Sequence, residues 1–239
     1  ELQTLTITQD LTVTAGGNIT DDGTVTVGRN LSATTNANSS VIDLGTLAVD
    51  GTIALVTHGT GAATVVNDAG LNFAASTVGG ALSATATTGN ITDSGALAIT
   101  GTTTLVTSAN DATIVLDTTT NAFTGAVTIT TNDNDSPTDG TYAADVTIDG
   151  GTTALIIAAS TIDGDLTLRS GHASGITDSG TVTVGGNLAA TTDAGSGVID
   201  LGTLAVDGTI ALTTHNNGAA TVVNDAGLNF AASTVGGAL

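Results

Sequence analysis

The chain is 239 residues long, and its formal net charge at pH 7 is −20, because 22 acidic residues stand against only Arg29 and Arg169. A chain this acidic excludes nucleic acid and anionic membrane surfaces as partners, since neutralising phosphates takes Lys and Arg side chains. The longest apolar runs, such as residues 154–159, are far below the ~18 residues of a membrane-spanning helix, which excludes membrane insertion.

The composition is that of strands and turns. Thr, Ala, Val, Gly, Asp and Asn dominate the sequence, whereas Lys, Cys, Met and Trp are absent. β-Branched residues favour pleated strands, and Gly, Asp and Asn favour turns. A helical domain would use Leu, Glu, Lys and Arg more freely. We therefore expect an all-β fold that needs no disulfide bonds.

Strand-like segments recur from one end of the chain to the other. Residues 46–70 show the layout, with short strands at 46–49, 52–57 and 62–66 separated by turns rich in Gly, Asp and Asn. Apolar residues alternate with Thr or Ala in each strand, the pattern of a strand with one buried face. Such segments begin at residues 24, 46, 71, 96, 122, 152, 181, 203 and 228, which makes each one 22–30 residues long.

These segments predict a parallel β-helix, or solenoid, of about ten coils of 22–30 residues with three short strands each. Each coil would stack its strands on those of the preceding coil, ~4.8 Å away. A β-sandwich does not predict so regular a recurrence, and a propeller needs blades of ~40–50 residues with aromatic signatures. Phe73, Phe123 and Phe230 are the only large side chains available to fill the core.

One block of the sequence occurs twice. Residues 19–82 return as residues 176–239, an offset of 157, and 55 of the 64 positions are identical. The nine differences fall mainly at turns and loops. We interpret the 157 residues as a structural super-repeat of six coils within a single β-helical segment, residues 1–239. We therefore interpret the duplication as a means of lengthening the β-helix.

The longest insertion, residues 131–142, carries the candidate metal ligands. Asp133, Asp135 and Asp139 could supply oxygen atoms to calcium, which takes six to eight of them. The spacing does not fit an EF-hand, because Thr138 stands where Gly is required and no Glu ends the loop. We assign no metal site and keep these acids as calcium candidates, the alternative being a solvated acidic loop that binds no cofactor.

Catalytic constellations are not evident in the sequence. His58 and His215 are copies of one loop position, so they cannot meet, and with His172 they are expected to be unrelated surface residues. Pectin-cleaving β-helices group acids with Lys or Arg and aromatic platforms, whereas this chain has two Arg residues in different coils and one Tyr. We expect no enzyme; a groove that groups several Asp residues with Arg169 or Arg29 would reopen that question.

Thr-x-Thr pairs raise one further alternative, since flat Thr ladders on β-helices can bind ice. Such pairs occur at residues 12–14, 24–26 and 102–104 among others. The corresponding positions of other coils are interrupted, as at 47–49 and 72–74. We therefore expect ordinary solvent-facing Thr residues.

The segments at residues 180–192 and 89–95 resemble the repetitive, Thr-, Gly- and Asp-rich regions of very large bacterial surface and secreted proteins. These include filamentous-haemagglutinin-like adhesins and autotransporter-like passengers, which are right-handed parallel β-helices. The resemblance covers essentially the whole chain. It implies a right-handed solenoid, export to the bacterial cell surface, and a role in adhesion or matrix structure, and it carries over no active site.

Together these features predict a structural or adhesive extracellular protein, an internal segment of a long β-helical stalk or filament at a bacterial surface. A calcium-dependent surface-layer or matrix module is the alternative, followed by an ice-binding protein and a polysaccharide-degrading enzyme. We expect end-to-end self-association or chain continuation to cover the ends, with a host or neighbouring cell surface or matrix as a further partner. Without an initiator Met or a basic, apolar leader, the chain is expected to be mature or internal to a longer one.

Overall fold

The structure is a computed structural model that describes residues 1–134, 143–193 and 195–239. All regular elements in these residues are β-strands, and they form one sheet of 14 strands, sheet I, and one of 13 strands, sheet II. The alternation of small apolar and polar residues produces this outcome, because it gives every strand one face to bury. Among the described residues, no helix has the length and apolar character to cross a membrane.

The strands of sheet I are β1 (Leu5–Ile7), β3 (Ile19–Thr20), β4 (Val25–Val27), β6 (Ile42–Val49), β8 (Ala63–Asn67), β11 (Leu82–Ala86), β14 (Thr103–Thr107), β17 (Val127–Thr130), β19 (Leu155–Ile157), β20 (Ser160–Ile162), β22 (Ile176–Asp178), β23 (Val182–Val184), β25 (Ile199–Val206) and β27 (Ala220–Asn224). The strands of sheet II are β2 (Leu11–Ala15), β5 (Leu31–Asn38), β7 (Thr52–His58), β9 (Leu71–Phe73), β10 (Ser76–Val78), β12 (Ile91–Asp93), β13 (Leu97–Ile99), β15 (Ile114–Leu116), β16 (Ala122–Phe123), β18 (Val146–Asp149), β21 (Leu166–Ser170), β24 (Leu188–Thr192) and β26 (Ile210–Thr213).

The architecture is a parallel β-solenoid of about ten turns with three strands per turn, as the sequence predicts. Every strand pair described is parallel, and its partner belongs to a neighbouring turn. The step between stacked partners ranges more widely than the expected 22–30 residues. Ala63 pairs with Leu82, a step of 19, and Ile114 pairs with Val146, a step of 32 that contains the insertion at 131–142.

The three strands of a turn divide unequally between the sheets. One sheet receives a single strand, such as β11, and the other receives two short strands joined by a bend, such as β12 and β13. The paired strands lie in sheet I at the start of the chain (β3 and β4), in sheet II in the middle, and again in sheet I at β19 to β23. In the last coil, Phe230 and Thr234 form bridges to Ile210 and Thr213, which places the pair in sheet II once more. The two sheets therefore exchange roles three times along the described solenoid.

The super-repeat of 157 residues spans seven coils, which corrects the six counted from the sequence. In sheet I, seven successive coil-to-coil pairings lead from Ile19 to Asp178, which lies two residues beyond Ile176, the copy of Ile19. The intermediate partners are Ile42, Ala63, Leu82, Thr103, Val127 and Ile157. The count from the sequence was low because it took 22–30 residues for every coil, whereas several coils are shorter.

The core is a continuous column of Val, Ile, Leu and Ala side chains between the two sheets. Phe73 and Phe123 are completely buried in it, as expected. Phe230 does not fill the core as expected, because it is 42% exposed at the last coil, where no described coil covers it.

Turns stack on turns at the corners of the solenoid, which restricts the residues found there. Gly151 has a φ of +56°, and a Cβ at this position would collide with the carbonyl oxygen of Asn121 in the preceding coil. A Gly is required for both reasons, since it alone combines this backbone conformation with so close an approach.

Candidate functional site

The insertion at residues 131–142 has a hydrogen-bonded base. The backbone N–H of Asp133 donates to Oδ2 of Asp163 at 2.8 Å, and the N–H of Asp163 donates to Oγ1 of Thr131 at 3.0 Å. Oδ2 of Asp133 accepts the N–H of Ala143 at 3.2 Å, across the insertion. Asp133 and Asp163 therefore fix the two ends of the insertion to each other and to the adjacent coil.

Of the three candidate calcium ligands, Asp133 is among the described residues. Its side chain is buried and accepts a backbone N–H, so part of its oxygen capacity is already used. Asp135 and Asp139 lie outside the described residues. Within the described ranges, no cluster of three or more His, Asp or Glu side chains could hold a metal ion. Calcium binding by the insertion stays a prediction.

Arg169 connects acids from neighbouring coils on the outer face of sheet II. Its Nη2 donates to Oδ2 of Asp193 at 2.6 Å, and its Nε lies 3.7 Å from Oδ2 of Asp149, its ladder partner. Burial raises the pKa of Asp149, while the 2.7 Å hydrogen bond from the Gly151 N–H and the charge of Arg169 oppose that rise. The hydrogen bond and charge of Asp193 raise the pKa of Arg169. The guanidinium thus links three coils.

Acids grouped with Arg169 are part of what a β-helical catalytic site would need. Here the guanidinium is occupied by both carboxylates, and the three residues stand on a sheet surface, outside the two grooves described below. Arg29 lies far along the chain and makes no ion pair with any described residue. The cluster is a coil-to-coil link, and the absence of enzymatic activity stays a prediction.

The three histidines are separate, and two of them make local contacts. Nδ1 of His58 lies 2.7 Å from the carbonyl oxygen of Thr35, in the preceding coil. Nδ1 of His172 accepts the N–H of Ser174 at 3.0 Å. His215 is exposed in the loop that repeats that of His58. None of them is brought to another by the fold.

The surface formed by the described residues includes two shallow grooves. The larger, of about 350 Å³, is lined by the turns at 49–51 and 69–70 together with Asn72, Asn90 and Thr92. Oδ1 of Asn72 has no hydrogen-bond partner, but it also has almost no accessible surface, so a molecule in the groove cannot reach it. The smaller groove lies between Thr181 and Asp225. Neither groove contains convergent reactive side chains.

Side-chain ladders at the corners were not foreseen from the sequence. Oδ1 of Asn30 accepts both the N–H and the hydroxyl of Thr52, one coil further on, each at 2.9 Å. In the second copy, Asn187 does the same for Thr209. These Asn residues also donate to the preceding coil, Asn30 to Asp10 and Asn187 to Asp165. The signal in the sequence is an Asn kept in both copies two residues after a turn Gly, Gly28 in the first copy and Gly185 in the second.

The tripeptide Ile-Thr-Asp occurs at residues 19–21, 91–93 and 176–178, and the first and last of these link coils in the same way. The carboxylate of Asp21 accepts the N–H groups of Gly45 and Thr46 and the Thr46 hydroxyl, at 2.8–2.9 Å. Asp178 repeats this at Gly202 and Thr203. These carboxylates therefore close turns of the next coil.

Asn67 performs a similar function inside the core. It is fully buried, its Oδ1 accepts the N–H of Val49 at 2.8 Å, and its Nδ2 donates to the carbonyl oxygens of Val49 and Gly70. Asn224 makes the same three bonds in the second copy. One amide thus satisfies the backbone at the bend between two short strands.

Hydroxyl groups form a longer ladder on sheet I than the sequence suggested. Thr64, Ser83, Thr104 and Thr128 are successive ladder partners on the outer face. The ladder is interrupted at Asp43, the partner of Thr64 in the preceding coil. The interruptions expected at 47–49 and 72–74 do occur, in neighbouring ladders, where Ala48 follows Thr26 and Asn72 lies between Thr52 and Thr92. The hydroxyl surface is therefore continuous over four coils.

The chain resembles one known group of repeats. A family model described as repeats of unknown function (DUF5649) matches residues 1–46, 60–130 and 143–213, which is most of the chain. No curated protein and no solved structure matches it.

Proposed function

We propose that this chain, which belongs to the family of repeats of unknown function (DUF5649), is a structural spacer in a long β-helical stalk or filament at a bacterial surface. The observation that carries this proposal is the continuity of the coil-to-coil bonding. Parallel ladders link the coils along the chain, and the side-chain ladders of Asn and Asp residues repeat the same links at the corners. A β-solenoid built of repeats is compatible with a structural role.

The mechanism of such a spacer is geometric. About ten coils at ~4.8 Å each place the two ends roughly 48 Å apart. Loading the rod engages many backbone hydrogen bonds together with the Asn, Asp and Arg169 links between coils. The net charge of −20 keeps a β-rich surface dispersed in solution. Placement outside the cell rests on the resemblance to surface-protein repeats and is part of the proposal.

Replacing the solenoid in the cells that produce it tests this function. We expect deletion of the chain to abolish attachment of the cells, and an unrelated β-solenoid with the same number of coils to restore it. Duplicating the 157-residue unit should lengthen the projection without loss of attachment. If restoration instead requires particular exposed side chains of this chain, the spacer function is wrong and a specific binding module takes its place.

The calcium-dependent alternative has one structural argument, the acidic insertion fixed by Asp133 and Asp163. It is tested by melting the protein with and without a chelator, using Asp133→Asn as a matched variant that keeps an oxygen acceptor for the Ala143 N–H. An unchanged melting temperature with EDTA supports the plain spacer. A melting temperature that EDTA lowers and calcium restores supports the calcium-dependent module. In that case the effect of EDTA should be smaller in Asp133→Asn.

A further inference from the structure

Ladder pairing between coils is uneven along the solenoid. Where each sheet keeps its kind of strand from one coil to the next, the pairing is extensive: β11 and β14 pair at five positions, and β9 with β12 and β10 with β13 pair at three positions each. Where the sheets exchange roles, a single strand meets a bent pair, so fewer residues are in register. The second exchange lies between the coil of β15, β16 and β17 and the coil of β18, β19 and β20. We call this boundary the seam.

Few ladder pairs cross the seam. In sheet I, β17 pairs with β19 only through Val127 and Ile157, and with β20 only through Thr130 and Thr161. In sheet II, β15 pairs with β18 at three positions. Among the described residues, β16 pairs with β13 of the preceding coil and with no strand of the following coil. One strand in three therefore has no ladder across the seam, and another has only single pairs.

The first exchange is better bonded, because β6 is continuous through its bend. This strand keeps ladder partners in β8 on both sides of the bend. The buried amide of Asn67, in β8, adds bonds back to the N–H and carbonyl of Val49 across that boundary. At the seam, the buried amide of Asn121 bonds Leu97 and Asp93 instead, both in the preceding coil. It adds nothing across the seam.

Hydroxyl groups take the place of ladder bonds at the seam. Oγ of Ser160 accepts the N–H of Ile129 at 2.9 Å and donates to the carbonyl oxygen of Ala158 at 2.9 Å. Oγ1 of Thr131 accepts the N–H of Asp163 at 3.0 Å. Ser160 and Thr131 are buried, so removing either hydroxyl leaves a backbone N–H without a partner. The seam thus depends on side chains where other boundaries depend on backbone groups.

Apolar packing continues through the seam. Phe123, Val127 and Ile129 on one side, and Ile148 and Ile157 on the other, are 0% exposed. The burial of apolar surface is not directional, so it holds the coils together without fixing one arrangement of them. It also favours closure of the two faces after an opening. Directional bonds are what the seam lacks.

We propose that the solenoid opens first at the seam when it is loaded along its axis, so that it divides there reversibly into two folded stacks of coils. The inference rests on the proposed function for the load itself. Because each coil contacts only its neighbours, stability is a sum of coil and boundary contributions. An axial load passes through every boundary in turn, so the boundary with few directional bonds yields first. Residues 131–145 keep the two stacks connected.

Thiol labelling of single-cysteine variants tests the inference, since the chain has no Cys of its own. Val127→Cys places a thiol in the seam, and Val184→Cys places one in β23, which pairs at three positions with each neighbour. Both valines are 0% exposed, so either thiol reacts with iodoacetamide only after an opening. We expect Val127→Cys to be labelled at least tenfold faster. Its labelling should depend on urea less steeply than global unfolding does, because a local opening exposes less surface.

A matched pair of substitutions tests the hydroxyl bonds. Ser76 makes the same two bonds at the first exchange, with the N–H of Leu55 and the carbonyl oxygen of Ala74. In the Val127→Cys chain, Ser160→Ala should raise the labelling rate at least threefold, whereas Ser76→Ala should leave it unchanged. Circular dichroism establishes that each variant is folded. Val146→Cys, in β18 across the seam, provides a second reporter should Val127→Cys unfold.

Labelling under flow tests the effect of load. With the chain in its stalk on attached cells, flow should raise labelling at position 127 severalfold and leave labelling at position 184 unchanged. Four results would overturn the seam. They are equal labelling of the two positions in the isolated chain, a urea dependence at position 127 as steep as that of global unfolding, equal effects of Ser160→Ala and Ser76→Ala, and labelling under flow that changes alike at both positions. Such a failure leaves the spacer function intact, because that function is measured by cell attachment and projection length.

Discussion

At the scale of single residues, Asn and Asp side chains form hydrogen bonds between coils at the turns, as backbone groups do within the strands. Asn67 satisfies three backbone groups at a buried bend, and Asn30 and Asp21 each bond the next coil. Arg169 joins acids of neighbouring coils on the outside. Their presence at turns is predictable from the sequence. Their partners are not, because these lie about 20 residues away, at positions set by the stacking.

Replacing Asn67 by Ala should lower the free energy of unfolding by about 3 kcal/mol or more, since each buried backbone group left without a partner costs about 1–3 kcal/mol. Asn224→Ala is the matched control, because it removes the same three bonds at a position that water reaches. We expect it to cost no more than about 1 kcal/mol. Urea unfolding of both variants measures the difference; equal losses would show that burial of the amide is unimportant.

Asp149 should make stability fall as pH rises. Burial raises the pKa of its carboxyl, so the folded chain binds a proton more readily than the unfolded chain does. The contribution of this group is therefore greatest below the ordinary carboxyl pKa and is lost as pH rises through the raised value. Asp149→Asn should be more stable than the unmodified chain at pH 7, and this advantage should shrink at acid pH.

The companion variant Asp149→Ala removes the acceptor of the Gly151 N–H at every pH. It should be less stable than Asp149→Asn throughout the pH range. Thermal melts of both variants between about pH 3 and pH 8 give these comparisons. A larger advantage for Asp149→Asn in acid than at neutral pH would contradict the sign argued here.

At the scale of strands, one motif takes different positions in the solenoid. The tripeptide Ile-Thr-Asp lies in sheet I at residues 19 and 176 but in sheet II at residue 91. Three coil steps lead from Ile19 to Leu82, and the motif at 91 follows half a coil later, on the opposite sheet. Seven coils, and not three or four, therefore return it to sheet I. The exchange of single and paired strands between the sheets follows from the same half-coil shift.

Phe73 and Phe230 allow the effect of a covering coil to be measured directly. Phe73→Ala should cost about 3–5 kcal/mol, since it leaves a large cavity in a closed core. Phe230→Ala, in an identical local sequence, should cost much less in the monomer because the ring is 42% exposed. Urea unfolding at low protein concentration gives both values. Similar losses would mean that the last coil is already covered.

At the scale of the whole molecule, charge of one sign is spread along the solenoid. Like charges in the folded chain repel one another, and folding brings them closer. Raising the salt concentration from about 0.01 M to about 0.15 M shortens the Debye length from about 30 Å to about 8 Å. The melting temperature should therefore rise by several degrees over this range, and Arg169→Ala should enlarge the rise because it removes one of only two cations. A melting temperature that falls with salt would show that ion pairs dominate.

The sequence by itself determined the parallel solenoid, the number of strands in a turn and the inward positions of most apolar residues. Each follows from the alternation of residues and from turns that Gly, Asp and Asn mark locally. Only the tertiary structure decided which coil lies on which. It showed seven coils in the super-repeat, Arg169 held between Asp149 and Asp193, and Phe230 exposed where Phe73 is buried. Identical local sequences cannot encode such differences, because these depend on the neighbouring coil and on the accumulated lengths of the turns.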